Sequence, residues 1–428
     1  MILRATLRSF LTVLSVTGAS FLLNVLTARA LGPEGRGHYS ASLMIIMLAA
    51  GLAQFGLAQA LVVRWREAQN QNATRYALVS AIVVALLAMA LAACILSFNG
   101  NGIDEFATLI AVASAPYSVY LFTTSALQLD AGLALFNVAR LALPLAMLCA
   151  AFSLYLTSHL SASSLLSCQL LLTSTIALLL LHSVLRILKR EGNGAGAQLR
   201  LTSNFGLGIK YHSVTALGLA TGHVDKLVLL SQSTAAQFGI YSVSYASSRL
   251  LGMMQDSASA ALFAANAGKL DNNPLDDLAT SFRLTFYPLT LLSTGVAAAS
   301  PALLSWVFGE QFQDAAISFS ILCFECVIGS SSWLLAQYYQ ARIQPGRVLL
   351  RQTVALIPVI VAIPFIPQEN AANWLATALL ASSLLRLLLT VMLLRVDTGF
   401  NPHQLAPRIS DISLVLRTFA RISPWKIR

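Results

Sequence analysis

The sequence predicts an all-α, polytopic membrane protein: twelve transmembrane helices in two parallel six-helix lobes around a central cleft. Three observations carry this expectation. Of 428 residues, 57% are apolar and only 10% are charged, against roughly 25% charged in soluble domains. Charge-poor runs recur along the chain, each near the ~20 residues a helix needs to cross the hydrocarbon layer. The basic residues fall almost wholly on one side of the resulting topology, as expected of cytoplasmic loops.

The first six runs are Ser9–Ala28, Tyr39–Val63, Tyr76–Phe98, Phe106–Leu129, Leu133–Leu156 and Leu165–Leu185; the second six are Phe205–Leu230, Phe238–Phe263, Phe282–Val307, Ala315–Tyr339, Val348–Ile366 and Ala371–Leu394. Transmembrane strands would be about ten residues long and would alternate polar with apolar. These runs are twice that length and do not alternate, so the spans are helical.

With the N-terminus inside, the cytoplasmic segments hold Arg4, Arg8, Arg64, Arg66, Arg75, Arg186, Lys189, Arg190, Arg200, Lys269, Arg342, Arg347 and the basic tail, whereas the outside loops hold only Arg29 and Arg36. The formal charge of +10 is therefore mostly a topology signal, and nucleic acid loses its support as a partner. Both termini are expected in the cytoplasm. Arg4 and Arg8 ahead of an apolar run superficially resemble a signal peptide, but the run is of spanning length and Arg29 sits where a small-residue cleavage site would be.

A polar stretch near residue 195 divides the chain into a six-helix lobe (residues 1–190), a cytoplasmic linker (191–204), a second six-helix lobe (205–395) and a basic amphipathic tail (396–428). The heptapeptides Arg36–Ser42 (RGHYSAS) and Phe238–Ser244 (FGIYSVS) agree at four of seven positions, each opening the second helix of its half. A repeat with an even number of helices per unit gives parallel halves about an axis along the membrane normal.

Catalytic machinery has no visible place. There is no HExxH, GxSxG or phosphate-binding loop, no loop long enough for a nucleotide-binding domain, and no cofactor is implied. Gly192, Gly194 and Gly196 follow no strand and read as a flexible linker. Cys94, Cys149, Cys168, Cys323 and Cys326 all lie in predicted helices, where they read as small buried residues rather than ligands or disulfides. Outside loops of about five to ten residues argue against a glycan polymerase or ligase. The protein is expected not to be an enzyme.

Ionisable groups inside spans are the strongest functional pointers, since each costs roughly 2.5–3.5 kcal/mol at mid-bilayer unless it faces protein or water. They are Arg140, Lys210, Asp225, Lys226, Arg249, Asp256, Glu325, Arg351 and Arg386. Lys210, Arg351 and Arg140 lie near cytoplasmic ends, where snorkelling is an alternative to function. Arg249 sits mid-helix, on a stripe of Tyr241, Tyr245, Arg249, Gly252, Asp256 and Ser259 that lines either a watered cleft or a hydrogen-bonded seam, with Arg249 neutralised by Asp256 or Glu325. The candidate substrate-binding residues are Arg29, Arg140, Lys226, Tyr241, Tyr245, Arg249 and Arg386. Asp225, Asp256 and Glu325 are candidates for coupling or counter-charge. Pro116, Pro144, Pro288, Pro358 and Pro364 are expected to kink their helices, and the Asp411–Ile422 segment reads as an interfacial helix on anionic lipid.

The stretch Ala28–Ser40 (ARALGPEGRGHYS) resembles the start of bacterial polysaccharide-export and O-antigen-type flippases of the multidrug/oligosaccharidyl-lipid/polysaccharide superfamily. So does the segment from Val224, Asp225 and Lys226 through Gly239 and Tyr241 to Tyr245. The resemblance implies a transporter that moves an undecaprenyl-pyrophosphate-linked oligosaccharide between leaflets by alternating access, with a polysaccharide polymerase and glycosyltransferases as partners. A multidrug exporter of the same superfamily is the alternative. The intramembrane excess of basic over acidic residues favours an anionic substrate. Lipid-II-type flippases are a closer rival, expected to carry two further helices.

The topology is directly testable: a reporter fused after Arg190 should read cytoplasmic and one at Asn101 periplasmic. A periplasmic signal at Arg190 would contradict the twelve-helix arrangement.

Overall fold

The computed structural model describes residues 2–67, 72–98, 105–129, 134–191, 201–266, 275–342, 344–367, 370–408 and 411. The described residues are overwhelmingly helical and include no strand. In chain order the helices are α1 (Ile2–Leu52), α2 (Leu57–Glu67), α3 (Ala73–Phe98), α4 (Glu105–Ala126), α5 (Ala134–Leu156), α6 (Ala162–Glu191) and α7 (Leu201–Gln232). They continue as α8 (Ala235–Asn266), α9 (Leu275–Ala298), α10 (Ser300–Phe308), α11 (Ala316–Ala341), α12 (Pro345–Ala355), α13 (Ile357–Ala362) and α14 (Ala371–Thr398).

By length and composition alone, eight of the described helices can cross a membrane, or nine if α9 and α10, bent by 74° to one another, form one span. The molecule is a multi-pass membrane protein. By this measure the count falls short of the twelve predicted runs: α7 and α8 are not among these helices, and the first two runs share the single helix α1.

That helix is two helices joined at Gly32, whose φ of 69° is open to glycine and strained for most other residues. Pro33 follows it and starts the second half. Arg36 donates to Asn24 Oδ1 and, at 2.8 Å, to Thr27 Oγ1. A straight helix would hold the Cα atoms of residues 24 and 36 about 18 Å apart, so these contacts require a sharp bend at Gly32. The sequence placed Arg36 in an outside loop; it is instead 5% exposed, because the bend folds it back onto the polar end of the first half. Of the prolines, Pro116, Pro144 and Pro288 lie within continuous helices, whereas Pro358 opens α13 and separates it from α12.

Packing divides the chain into two compact units, Met1–Val243 with Val307–Phe312, and Ser244–Trp306 with Gln313–Arg428. In the first unit, Leu57, Leu61, Tyr76, Val84, Phe122, Leu127, Val184 and Leu188 form a core among α2, α3, α4 and α6. In the second, Leu278, Phe282, Leu334, Leu335, Tyr339 and Leu394 pack α9 and α14 against α11. There Arg283 also grips the start of the tail, with Nε 2.8 Å from Asp411 Oδ2 and Nη2 3.1 Å from Oδ1. Hydrogen bonding from Arg283 holds the Asp411 carboxyl below its ordinary range. The clasp is therefore intact at neutral pH and released only as pH falls through that lowered value. The interfacial helix expected from Asp411 onward, the tip of the 191–204 linker with its glycines, and the Lys210 side chain lie outside the described residues.

The heptapeptide repeat is a structural object inside the first unit. A Cβ on Gly37 would lie 1.8 Å from the Ala235 carbonyl oxygen, and one on Gly239 would lie 1.9 Å from that of Pro33. Ser40 Oγ and Ser242 Oγ are 2.9 Å apart. Each residue and its partner are exchanged by the same offset along the chain, so Gly37 meets α8 as Gly239 meets α1. This is the self-complementary contact of a local two-fold axis, with backbones brought together at small residues as in other membrane helix pairs.

Gly37→Ala and Gly239→Ala should each destabilise the purified protein by about 3 kcal/mol, the upper end for overpacking, because the obstacle is backbone. Gly18→Ala, where nothing lies within 4 Å, is the control. Thermal denaturation checks this, and unchanged melting of both glycine variants would contradict the close crossing.

Candidate functional site: two buried charge clusters

Each unit holds a cluster of charged side chains among its helices. In the first, α7 supplies Asp225 and Lys226, and the start of α8 supplies Tyr241. Asp225 is 1% exposed. The Tyr241 hydroxyl donates to Asp225 Oδ2 at 2.6 Å, and Lys226 Nζ lies 3.6 Å from the same oxygen while donating to Gly222 O at 2.9 Å. A buried carboxylate is tolerable when paired and hydrogen-bonded, and Oδ2 has both. Oδ1 has no hydrogen-bond partner among the described residues.

In the second unit the centre is Glu325 on α11. Arg249 from α8 donates through Nη2 to Oε2, and Ser383 from α14 donates to Oε1 at 2.7 Å. Arg386, one turn further along α14, donates to Ser383 Oγ at 3.1 Å. The Arg249 guanidinium also sits 4.4 Å from the centroid of the Tyr245 ring, a favourable placement for a cation on an aromatic face. The helices come close here because Gly252 leaves room: a Cβ would stand 2.8 Å from Ser330 Oγ and 2.9 Å from Cys326 Sγ. The Arg249 side chain is 35% exposed and that of Glu325 only 6%. This pair hides its carboxylate and presents its cation.

The sequence left two carboxylates open as partners for Arg249, and the geometry selects Glu325. Asp256 lies two turns further along α8, exposed, and makes no salt bridge with Arg249. The polar stripe on α8 is accordingly not a uniform lining. Tyr241 is fully buried on Asp225, Ser259 is 3% exposed, and Tyr245 and Arg249 are half-buried.

Arg29 and Arg140 stand apart from both clusters. Arg29 is exposed at the rim of an apolar groove of about 580 Å³ lined by Leu22, Leu26, Leu148, Phe152 and Tyr155, with Nε donating to Val307 O at 2.7 Å. Arg140 lies 5.5 Å from the Phe136 ring. Cys323 and Cys326 are buried, whereas Cys94 and Cys149 are exposed on their helices. No group of His, Cys, Asp or Glu that could hold a metal occurs among the described residues.

Sequence reasoning missed the hydroxyls that complete the second cluster, because Ser383 and Ser332 look like ordinary small residues until α11 and α14 are brought together. It also offered snorkelling for Arg351. That side chain is instead 1% exposed, donating to Thr390 Oγ1 at 3.0 Å and Ser332 Oγ at 2.6 Å. In the sequence Arg351 and Arg386 stand out as charges inside apolar runs, but their hydroxyl partners do not.

The fold of this multi-pass helical chain has counterparts among solved structures. It is similar to a lipid II flippase MurJ in an inward closed conformation, with 11% identity, a TM-score of 0.72, and coverage of 98% of this chain and 93% of that one. It is also similar to an inward-facing multidrug resistance MATE family transporter of the MOP superfamily (13%, TM-score 0.66, 90% and 96%). A MOP superfamily transporter from Pyrococcus furiosus, described as having a binding pocket of reverse polarity, matches at 11% identity with a TM-score of 0.61, over 93% of this chain and 95% of that one. These likenesses show the fold. The match over 93% of the lipid II flippase removes chain length as a ground for separating the two. No curated protein matches the sequence. The chain belongs to the polysaccharide biosynthesis protein family, whose model matches residues 2–263.

Arg249→Ala should reduce folded protein, because Glu325 stays buried without its direct partner. The expected loss is about 1–3 kcal/mol, below that of a fully buried pair since Arg249 is partly exposed. The double change Arg249→Ala with Glu325→Ala should recover it, as read by monodisperse yield and melting temperature. A single mutant as stable as the parent would contradict the pairing.

Proposed function

We propose that this protein is an inner-membrane flippase that carries undecaprenyl-pyrophosphate-linked oligosaccharide repeat units from the cytoplasmic to the periplasmic leaflet for surface polysaccharide, O-antigen or exopolysaccharide. In this reading twelve helices in two six-helix lobes work by alternating access, with both termini in the cytoplasm. Family membership supports the polysaccharide context.

One observation carries the choice of an anionic cargo: the buried carboxylates are already matched by cations. Asp225 has Lys226, and Glu325 has Arg249, with Arg386 behind Ser383. A pyrophosphate cannot cross about 30 Å of hydrocarbon unaided, and guanidiniums offer it planar, charge-assisted hydrogen bonds. Arg249 is the residue assigned to meet it, because its pair with Glu325 leaves a third of its side chain open. Lys226, Arg386, Arg140, Arg29, Tyr241 and Tyr245 are further head-group or sugar ligands in this reading. Asp225, Glu325 and Asp256 serve coupling or counter-charge. Anionic lipids, a polymerase and glycosyltransferases are the proposed partners.

A cation-coupled multidrug exporter is the second reading, favoured by Asp256, the one carboxylate of the candidate set that is exposed. Deletion of the gene decides between them. The flippase reading expects lipid-linked repeat units to accumulate on the inner leaflet and surface glycan to disappear. Normal surface glycan with altered drug susceptibility would move the assignment to the exporter. If Arg249 is a ligand, the Arg249→Ala, Glu325→Ala protein should be folded yet fail to complement the deletion.

A further inference from the structure

Arg351 is among the largest fully buried side chains in the protein. It makes no ion pair with a carboxylate among the described residues. Its guanidinium is held on two sides, through Nε to Thr390 Oγ1 and through Nη2 to Ser332 Oγ, and lies 5.8 Å from the centroid of the Trp333 ring. The third nitrogen, Nη1, is buried with no hydrogen-bond partner among the described residues, and so is Nε of Arg386. Arg351 and Arg386 are joined through Thr390, which accepts from Arg351 Nε at 3.0 Å and donates to the Arg386 carbonyl oxygen at 2.6 Å.

The hydroxyls around Arg351 cannot supply the missing charge. Ser332 and Thr390 face each other at 3.2 Å and accept from the guanidinium, so their own protons are spent within the network. Around Glu325 the second unit thus gathers Arg249, Arg386 and, behind Thr390, Arg351, three cations against one buried carboxylate. Water could satisfy the orphan N–H groups of Nη1, but it would leave the charge uncompensated where burial of an unpaired ion costs several kcal/mol.

We propose that Arg351 Nη1 forms a site for a small monovalent inorganic anion, chloride being the natural occupant. Burial decides the class. A side chain with 1% exposure leaves no access for a lipid head group or a pyrophosphate, and a dianion such as sulfate pays far more to shed its water than a halide does. At Arg351 the anion fixes α12 against α11 and α14 by neutralising the charge those helices bury.

The test uses the full-length protein, purified and placed in chloride or in gluconate at equal ionic strength. Chloride should raise the melting temperature saturably by a few degrees, as any ligand selective for the folded state does, and bromide should give an anomalous diffraction peak beside Arg351. Arg351→Met, which keeps the stem and deletes the charge, should fold in gluconate and lose the chloride response. Arg351→Lys should keep the response with a midpoint at least tenfold higher. A parent protein whose melting is the same in both salts, or an Arg351→Met protein that retains the full chloride response, would overturn the site. Should Arg351→Met yield no folded protein, the bromide position and the Arg351→Lys midpoint decide the matter: an unshifted midpoint with bromide bound elsewhere refutes the proposal.

Discussion

A carboxylate held at 6% exposure inside a membrane protein survives as an ion only if its neighbours compensate it, and Glu325 draws much of the second unit into that task. Arg249 comes from α8, Ser383 and Arg386 from α14, and all converge on α11. The pairing explains why α8 tolerates an arginine at mid-helix, why Gly252 faces Ser330 and Cys326, and why small polar residues line the contact between α11 and α14. The first unit meets the same constraint more economically, with Lys226 and Tyr241 closing on Asp225. In both places the cation is the more accessible member, 11% against 1% for Lys226 and Asp225 and 35% against 6% for Arg249 and Glu325.

The second organising feature is the crossing of α1 and α8 at Gly37 and Gly239. What reads as a short repeat in the sequence is a two-fold contact in space, with each glycine opening the way to the other helix's carbonyl. The sharp bend at Gly32 positions the first of these glycines, and burial of Arg36 on Asn24 and Thr27 holds that bend. Substitution tolerance should therefore be lowest where the backbone itself is the neighbour, and higher along the lipid-facing surfaces.

Helix content and span positions were legible because hydrophobic runs of spanning length carry a strong, local signal. The polar pair α7 and α8 was recognised as helical by length, although it carries Asp225, Lys226, Tyr241 and Arg249. Arg36 was expected in a loop and lies in helix, because a glycine and a proline read equally well as a loop or as a bend within helix. The candidate residues were legible as a set, since a charge inside an apolar run is conspicuous, but their partners were not. Nothing in the sequence brings Ser383 to Glu325, nor Ser332 to Arg351, because those contacts join residues fifty-eight and nineteen positions apart on different helices. For the same reason, composition could identify Arg249 as exceptional and still leave Asp256 and Glu325 as equal partners.

The central claim is that the exposed face of the Arg249 and Glu325 pair recognises a lipid-linked pyrophosphate. Binding to the purified protein in nanodiscs measures this most directly, with a polyprenyl-pyrophosphate oligosaccharide compared against the phosphate-free polyprenyl glycoside and a cationic dye. The account predicts saturable binding of the pyrophosphate lipid alone, weakened by salt and lost on Arg249→Gln. Binding of the dye with no preference for pyrophosphate over the uncharged lipid would contradict it.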